Sequence, residues 1–284
     1  SSPVAPAAPP ASVGWERETI ERLVLSSVQE TRRMRRWNLA IRLGWLIMVG
    51  AVAWALLSRA APSADPTAPH TALVAIKGEI NAEGEASAEQ IVGAMRSALE
   101  DSGSRALVLL INSPGGSPVQ AGIVNDEIRR LRALHGKPVY AVVEESCASA
   151  AYYIAAATDR IYVDKASIVG SIGVLMDGFG FTGLMDKLGI ERRLMTAGQN
   201  KGFLDPFSPQ TEAQRSHAQT MLNQIHQQFI SVVRKGRGPR LKETPELFSG
   251  LFWSGEQAIE LGLADALGNL DFVAREVVKS EDII

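Results

Sequence analysis

Apolar positions along this chain fall into two regimes. Residues 37–58, "WNLAIRLGWLIMVGAVAWALLS", form one unbroken apolar stretch whose only charge is Arg42. From Thr71 onward, short apolar runs alternate with polar stretches at helical spacing. The first regime predicts a helix apolar all round. As an α-helix it would measure roughly 33 Å, the thickness of a bilayer's hydrocarbon core. Trp37, Trp45 and Trp54 include interface anchors, and Arg42 can snorkel to the near side. A buried core helix is the competing reading, but soluble cores rarely need so many apolar residues on every face.

The second regime predicts alternating strands and helices. "TALVAIKGEI" (71–80), "RALVLLIN" (105–112), "KPVYAVVEE" (137–145), "RIYVD" (160–164) and "IERRLMT" (190–196) read as strands. Ser87 and Gln90 have capping-box spacing ahead of Ile91, Met95 and Leu99, which share one helical face. Ser117-Pro118 opens another helix with N-cap and N1 chemistry. "EESCASAAYY" (144–153) is predicted as a helix start after the third strand, and a long polar helix fills 209–235. Strand–helix alternation gives an α/β domain with mostly parallel strands over 71–284.

Ahead of it, 59–70 is a linker by composition, and 1–36 a tail. Residues 1–14, rich in Pro, Ala and Ser, are expected to be disordered. Residues 15–36 are expected to form a solvated or membrane-surface helix. Arg32, Arg33, Arg35 and Arg36 precede the apolar stretch and Arg59 stands alone after it. The positive-inside rule therefore expects a cytoplasmic tail and an extracytoplasmic domain. A cleaved signal peptide competes, since "RAAPSA" (59–64) is rich in small residues, but the charged stretch ahead is long for that role. The chain begins with Ser rather than Met, so further residues are expected ahead of it.

Composition narrows the picture. The chain is 46% hydrophobic with a formal charge of -2, which gives no electrostatic reason to expect nucleic acid. One cysteine, Cys147, rules out an internal disulfide framework and a cysteine-based zinc site. No cofactor or metal is expected. His217 and His226 are nine residues apart, so on one helix they point to opposite sides and make a poor metal pair. Both are expected to be solvated.

In α/β folds, sites form in loops after the carboxyl ends of strands. "INSPGG" (111–116) and "EESCASAAYY" occupy that position. The first reads equally as an ordinary turn or as an oxyanion hole, with bare N–H groups aimed at a developing negative oxygen. It is neither a P-loop nor a dinucleotide fingerprint. A nucleophile often has an oxyanion donor on the next residue's N–H. Ser113 precedes Pro114, which lacks one. Ser149 precedes Ala150, which has one; Ser146 and Cys147 remain open, and an N-cap role is the bland reading for Ser149. Histidine is unsupported as the base. Lysine, the other base used with serine, works only when neutral. Lys201, in "TAGQNKGFLDPF" between Gly198 and Gly202, is the best-placed candidate.

"INSPGG", "SCASAAYYIA", "ASIVGSIGV", "TAGQNKGFLDPFS" and "FWSGEQAIELGLADALG" follow in this order. Together, across about residues 70–275, they resemble the signal peptide peptidase A family of membrane-anchored Ser/Lys peptidases in its short, single-domain form. The resemblance implies a Clp protease/crotonase-like spiral of ββα units preceded by one transmembrane helix. It implies Ser149 as nucleophile, Lys201 as base and Ser171 as hydrogen-bond partner of the lysine amine. It also implies an oxyanion hole from the N–H groups of Gly116 and Ala150. Where the Clp branch has a histidine, this chain reads "GSIGV". Family members commonly carry Ser-Gly-Gly-Tyr-Tyr; this chain has Ser149-Ala150-Ala151, whose methyls are expected to narrow the cleft. The resemblance further implies hydrophobic peptide substrates such as remnant signal peptides, and an inner-membrane location in contact with lipid. It implies a homo-oligomeric ring of about eight protomers with dyads completed across subunits. A non-catalytic scaffold and a crotonase-like acyl-CoA enzyme are the rival readings.

Overall fold

The computed structural model describes residues 37, 39, 41–55 and 68–284. It divides into a unit Ser1–Ala64 and a unit Asp65–Ile284. The expected tail helix at 15–36 and most of the linker lie outside the described residues. In the first unit, 41–55 form helix α1, exposed along its length. Among the described residues, no helix is long and apolar enough to cross a membrane. The expected span 37–58 includes Asn38, Ala40 and 56–58, which lie outside them.

The second unit is an α/β domain. Its strands are β1 (His70–Lys77), β2 (Ser104–Ser113), β3 (Val139–Ala148), β4 (Arg160–Val163), β5 (Ile168–Gly170), β6 (Phe252–Ser254) and β7 (Ala266–Leu267). Its helices are α2 (Ala88–Glu100), α3 (Pro118–His135), α4 (Ala150–Ala155), α5 (Thr182–Leu188), α6 (Glu212–Arg237), α7 (Gly255–Glu260) and α8 (Leu270–Phe272). The main sheet runs β1-β2-β3-β4-β7, parallel throughout; β5 adds parallel to β3, and β6 adds antiparallel to β5.

Most predicted elements form where expected, with informative shifts. Gly78, at φ 77°, ends β1 before the predicted boundary. β3 continues through Ala148, so the first half of the stretch expected to open a helix is strand, and α4 starts only at Ala150. The reason is β5: Ser146–Ala148 find pairing partners in Ile168–Gly170. Half of the expected capping box at α2 forms, with the Ser87 hydroxyl accepting from the Gln90 N–H. The Ser87 N–H donates to Gly84 O rather than to the Gln90 side chain, and the Ala88 N–H donates to Gln120 Oε1 at 2.7 Å, tying α2 to α3. Ser117 caps α3, and Gly136 ends it in the left-handed region. The strand expected at 190–196 does not form; the segment has no sheet edge to pair with, and Met195 is 92% exposed.

The sheet has two apolar faces. The larger is covered by α2, α3, α4 and α6 around Ile76, Met95, Leu109, Ile128, Tyr152 and Val233. The smaller gathers Val108, Leu110, Val142 and Tyr162 under Val273. Buried side chains of this size each stabilise the fold by about 1.5–3 kcal/mol. β3 is the pivot. Its first half pairs with β4 and its last three residues with β5. The strand thus forks immediately before Ser149.

Candidate active site

The turn from β3 to α4 is strained. Ser149 sits at φ 54°, ψ -122°, a region that costs a non-glycine residue about 1–3 kcal/mol and persists only when its surroundings over-determine it. Ser149 does not cap α4 with its side chain, so the bland N-cap reading fails. Three contacts hold the strained residue. Its N–H donates to Gly170 O at 2.8 Å, and its carbonyl accepts from the Tyr153 N–H at 3.0 Å. Gly115 lies directly against it: a Cβ there would stand 2.7 Å from Ser149 Cβ and 2.9 Å from the Ala148 carbonyl oxygen.

The "SPGG" loop is held with equal tightness. Ser113 is fully buried, and its hydroxyl accepts from the Gly115 N–H at 3.2 Å. Ile80 N–H donates to Gly115 O, and Ser117 N–H donates to Ile80 O. These flanking peptides bridge Gly116 to Ile80 without using the Gly116 N–H. A Cβ on Gly116 would meet Ile80 O at 2.2 Å. Among the described residues, neither the Gly116 nor the Ala150 N–H has a backbone acceptor. Two free donors beside a serine hydroxyl can stabilise an oxyanion.

These groups share one cleft of about 660 Å³, lined by Ser149, Ala150, Gly116 and Ser171. Its apolar wall comes from Tyr153 and, on α6, Leu222, Ile225 and Phe229. The Tyr153 and Phe229 rings pack with centroids 5.1 Å apart. Residues 174–176 add to that wall. α6 reads as a polar helix in sequence, and the spacing of Leu222, Ile225 and Phe229 is the one signal there of this wall. Ser171 is held at φ 51°, with its N–H on Leu251 O at 2.8 Å.

Of the candidate nucleophiles in this stretch, Ser149 lines the cleft and the others do not. The Ser146 hydroxyl donates to Ser113 O at 3.3 Å. Cys147 is fully buried, and burial pushes its thiol well above the ordinary range. Ala150 and Ala151 are both buried, and of the two only Ala150 lines the cleft. Lys201 stands apart. It is exposed in a turn, its N–H donates to Gly198 O at 3.1 Å, and it does not line the cleft of its own chain. The histidines are elsewhere too. His217 packs edge-on against Phe203. His226, expected to be solvated, is half-buried with Nε2 3.0 Å from Ile172 O. Among the described residues, no three His, Cys, Asp or Glu side chains are grouped to hold a metal ion.

Residues 132–283 match the family described as Peptidase family S49. The chain is 46% identical over 178 residues to a protein named Na(+)/H(+) antiporter NhaA of Brucella melitensis, covering 63% of this chain and 24% of that protein. It is 31% identical over 169 residues to the putative signal peptide peptidase SppA of Enterococcus faecium, covering 60% of this chain and 49% of that one. To the chloroplastic serine protease SPPA of Arabidopsis thaliana it is 29% identical over 204 residues, 69% of this chain and 29% of the relative. The chain thus spans between about a quarter and about a half of the length of these relatives. With the family match covering more than half of its residues, the chain belongs to peptidase family S49, a family of serine peptidases that hydrolyse peptide bonds.

Proposed function

We propose that this chain is a membrane-anchored serine endopeptidase of Clp protease/crotonase-like fold, with Ser149 as nucleophile and Lys201 as base. One observation carries the reading. A non-glycine residue is held in a strained turn at a helix start, on the same cleft as two N–H groups that lack backbone acceptors. Neutral Lys201 takes the Ser149 proton. Ser149 Oγ attacks the peptide carbonyl, and the Gly116 and Ala150 N–H groups bind the resulting oxyanion. Lys201 then gives its proton to the leaving amine as the C–N bond breaks. A water, deprotonated by Lys201, hydrolyses the acyl-enzyme and frees Ser149. Ser171 holds the lysine amine in place through its hydroxyl.

Lys201 lies off the cleft of its own chain, which supports a homo-oligomeric ring in which each Ser149 meets a neighbour's Lys201. The apolar wall supports hydrophobic peptides as substrates, docked as an added strand. The name of the Enterococcus relative makes remnant signal peptides the natural class. The apolar stretch 37–58 anchors the chain in the inner membrane, with 1–36 cytoplasmic, 59–70 as linker and 71–284 extracytoplasmic.

The test is cleavage of a fluorogenic apolar peptide by the detergent-solubilised chain. Ser149→Ala and Lys201→Ala should each lose at least about 10³-fold in kcat. Mixed, dissociated and reassembled, the two dead variants should recover a fraction of wild-type activity, because some interfaces then pair an intact serine with an intact lysine. Wild-type activity in Ser149→Ala would remove the nucleophile assignment, and an active monomer would remove the shared dyad. A correctly assembled wild type that cleaves nothing and takes no fluorophosphonate label would leave the scaffold reading.

A further inference from the structure

α4 is only six residues long and ends abruptly. Ala156 N–H donates to Tyr152 O, Ala157 N–H to Ile154 O and Thr158 N–H to Ala155 O. This tightening of the last turn passes over the Tyr153 carbonyl, which would otherwise accept from the Ala157 N–H. A buried carbonyl without a donor costs about 1–3 kcal/mol. The donor comes from another helix: Asn125 Nδ2 on α3 reaches Tyr153 O at 2.6 Å. Asn125 is 1% exposed. Its own orientation is set from outside, since Oδ1 accepts from Arg129 Nε at 2.9 Å.

The position of Tyr153 gives this contact its meaning. Its N–H holds the Ser149 carbonyl, and its side chain forms the cleft wall against Phe229. A relay therefore runs Arg129, Asn125, Tyr153, Ser149. We infer that Asn125 is a positioning residue for the nucleophile: it anchors the far side of the Tyr153 residue whose N–H locks Ser149 in its strained turn. The inference rests on the peptidase reading for its effect on rate, but not for its effect on structure. Asparagine suits the task because it must donate at one end of its amide and accept at the other. Aspartate has the same shape and keeps the Arg129 bond, but turns an acceptor toward a carbonyl oxygen.

The experiment uses the full-length chain with Asn125→Asp and Asn125→Ser. Hydrogen exchange resolved over residues 149–157 is measured beside kcat and KM on an apolar peptide. In Asn125→Asp, the Tyr153 amide should exchange about 10-fold faster while the core strands keep their protection. kcat should fall about 10-fold or more with KM within about twofold, since a misplaced nucleophile loses rate rather than binding. Asn125→Ser, which restores a donor, should recover part of both. The inference is overturned if Asn125→Asp exchanges and turns over like wild type. It is equally overturned if every core amide loosens together and Asn125→Ser is no better, because Asn125 then serves the fold in general. A wild type that cleaves nothing would sink the peptidase reading, while the exchange arm still decides the role of Asn125.

Discussion

The site depends on atoms that are missing as much as on those present. Gly115 and Gly116 occupy φ 111° and 142° and leave no room for a Cβ against Ser149 and Ile80. Gly116→Ala must therefore move the β-bridge to Ile80 or the Gly116 N–H, the donor proposed for the oxyanion. It should lower kcat by about 10²-fold or more and destabilise the fold by about 1–3 kcal/mol, read by peptide turnover and thermal melting. The two alanines after Ser149 separate cleanly. Ala150→Gly keeps the N–H and changes a residue that lines the cleft, so it should change the preferred substrate side chain, measured as ratios of kcat/KM across a peptide series. Ala151→Gly touches only the core; it should cost about 1 kcal/mol in stability and leave those ratios unchanged. Both Ser149-Ala150 and "SPGG" were legible in sequence because an available N–H and a missing Cβ are properties of residue type. The strain at Ser149 was not, because it arises from β5 and Gly115 closing on the turn.

At the scale of elements, β3 and the α2–α3 pair carry the argument. The fork of β3 places Ser149 at the end of two different pairings, and β3 runs past its predicted end by pairing with β5, a three-residue strand with too little pattern to read. α2 and α3 are locked by Glu127. It bonds Arg130 and Arg96, each at 2.7 Å, and the Arg130 hydrogen bond, followed by that of Arg96, lowers its carboxyl to about 2. A depressed folded-state pKa contributes stability that is complete above the unfolded value near 4.5 and is lost as pH falls toward about 2. Glu127→Gln should destabilise the domain at neutral pH by about 1–2 kcal/mol and flatten its melting temperature across that acid window. Equal acid sensitivity in wild type and variant would place the pH dependence elsewhere.

At the scale of the molecule, the domain leaves apolar side chains uncovered. Leu175, Phe179 and Met195 are 80%, 81% and 92% exposed, within the segment that also carries Lys201. Large apolar side chains left this exposed are candidates for an interaction surface. Under the shared-dyad reading this segment meets a neighbouring copy. Met195→Glu should then reduce assembly mass and peptidase activity in parallel, followed by light scattering and turnover on the same samples. A dissociated Met195→Glu that keeps full activity would break the link between ring and dyad.

Local pattern is enough to read the strand–helix alternation, the helix caps at Ser87 and Ser117, and the apolar stretch 37–58. It also shows which residues could supply a nucleophile, a base and bare N–H groups. These follow from local patterning and residue chemistry, which a single chain carries along its length. Tertiary structure alone decided that Gly116, Ser149, Ala150 and Ser171 line one cleft while Lys201 stands off it. It alone made a wall of α6 and left 190–196 without a strand partner. Those outcomes depend on which elements close against each other at separations well beyond a single helix or strand. The period of one element does not name its partner: the Leu222, Ile225 and Phe229 stripe marks an apolar face on α6 but not what that face lines.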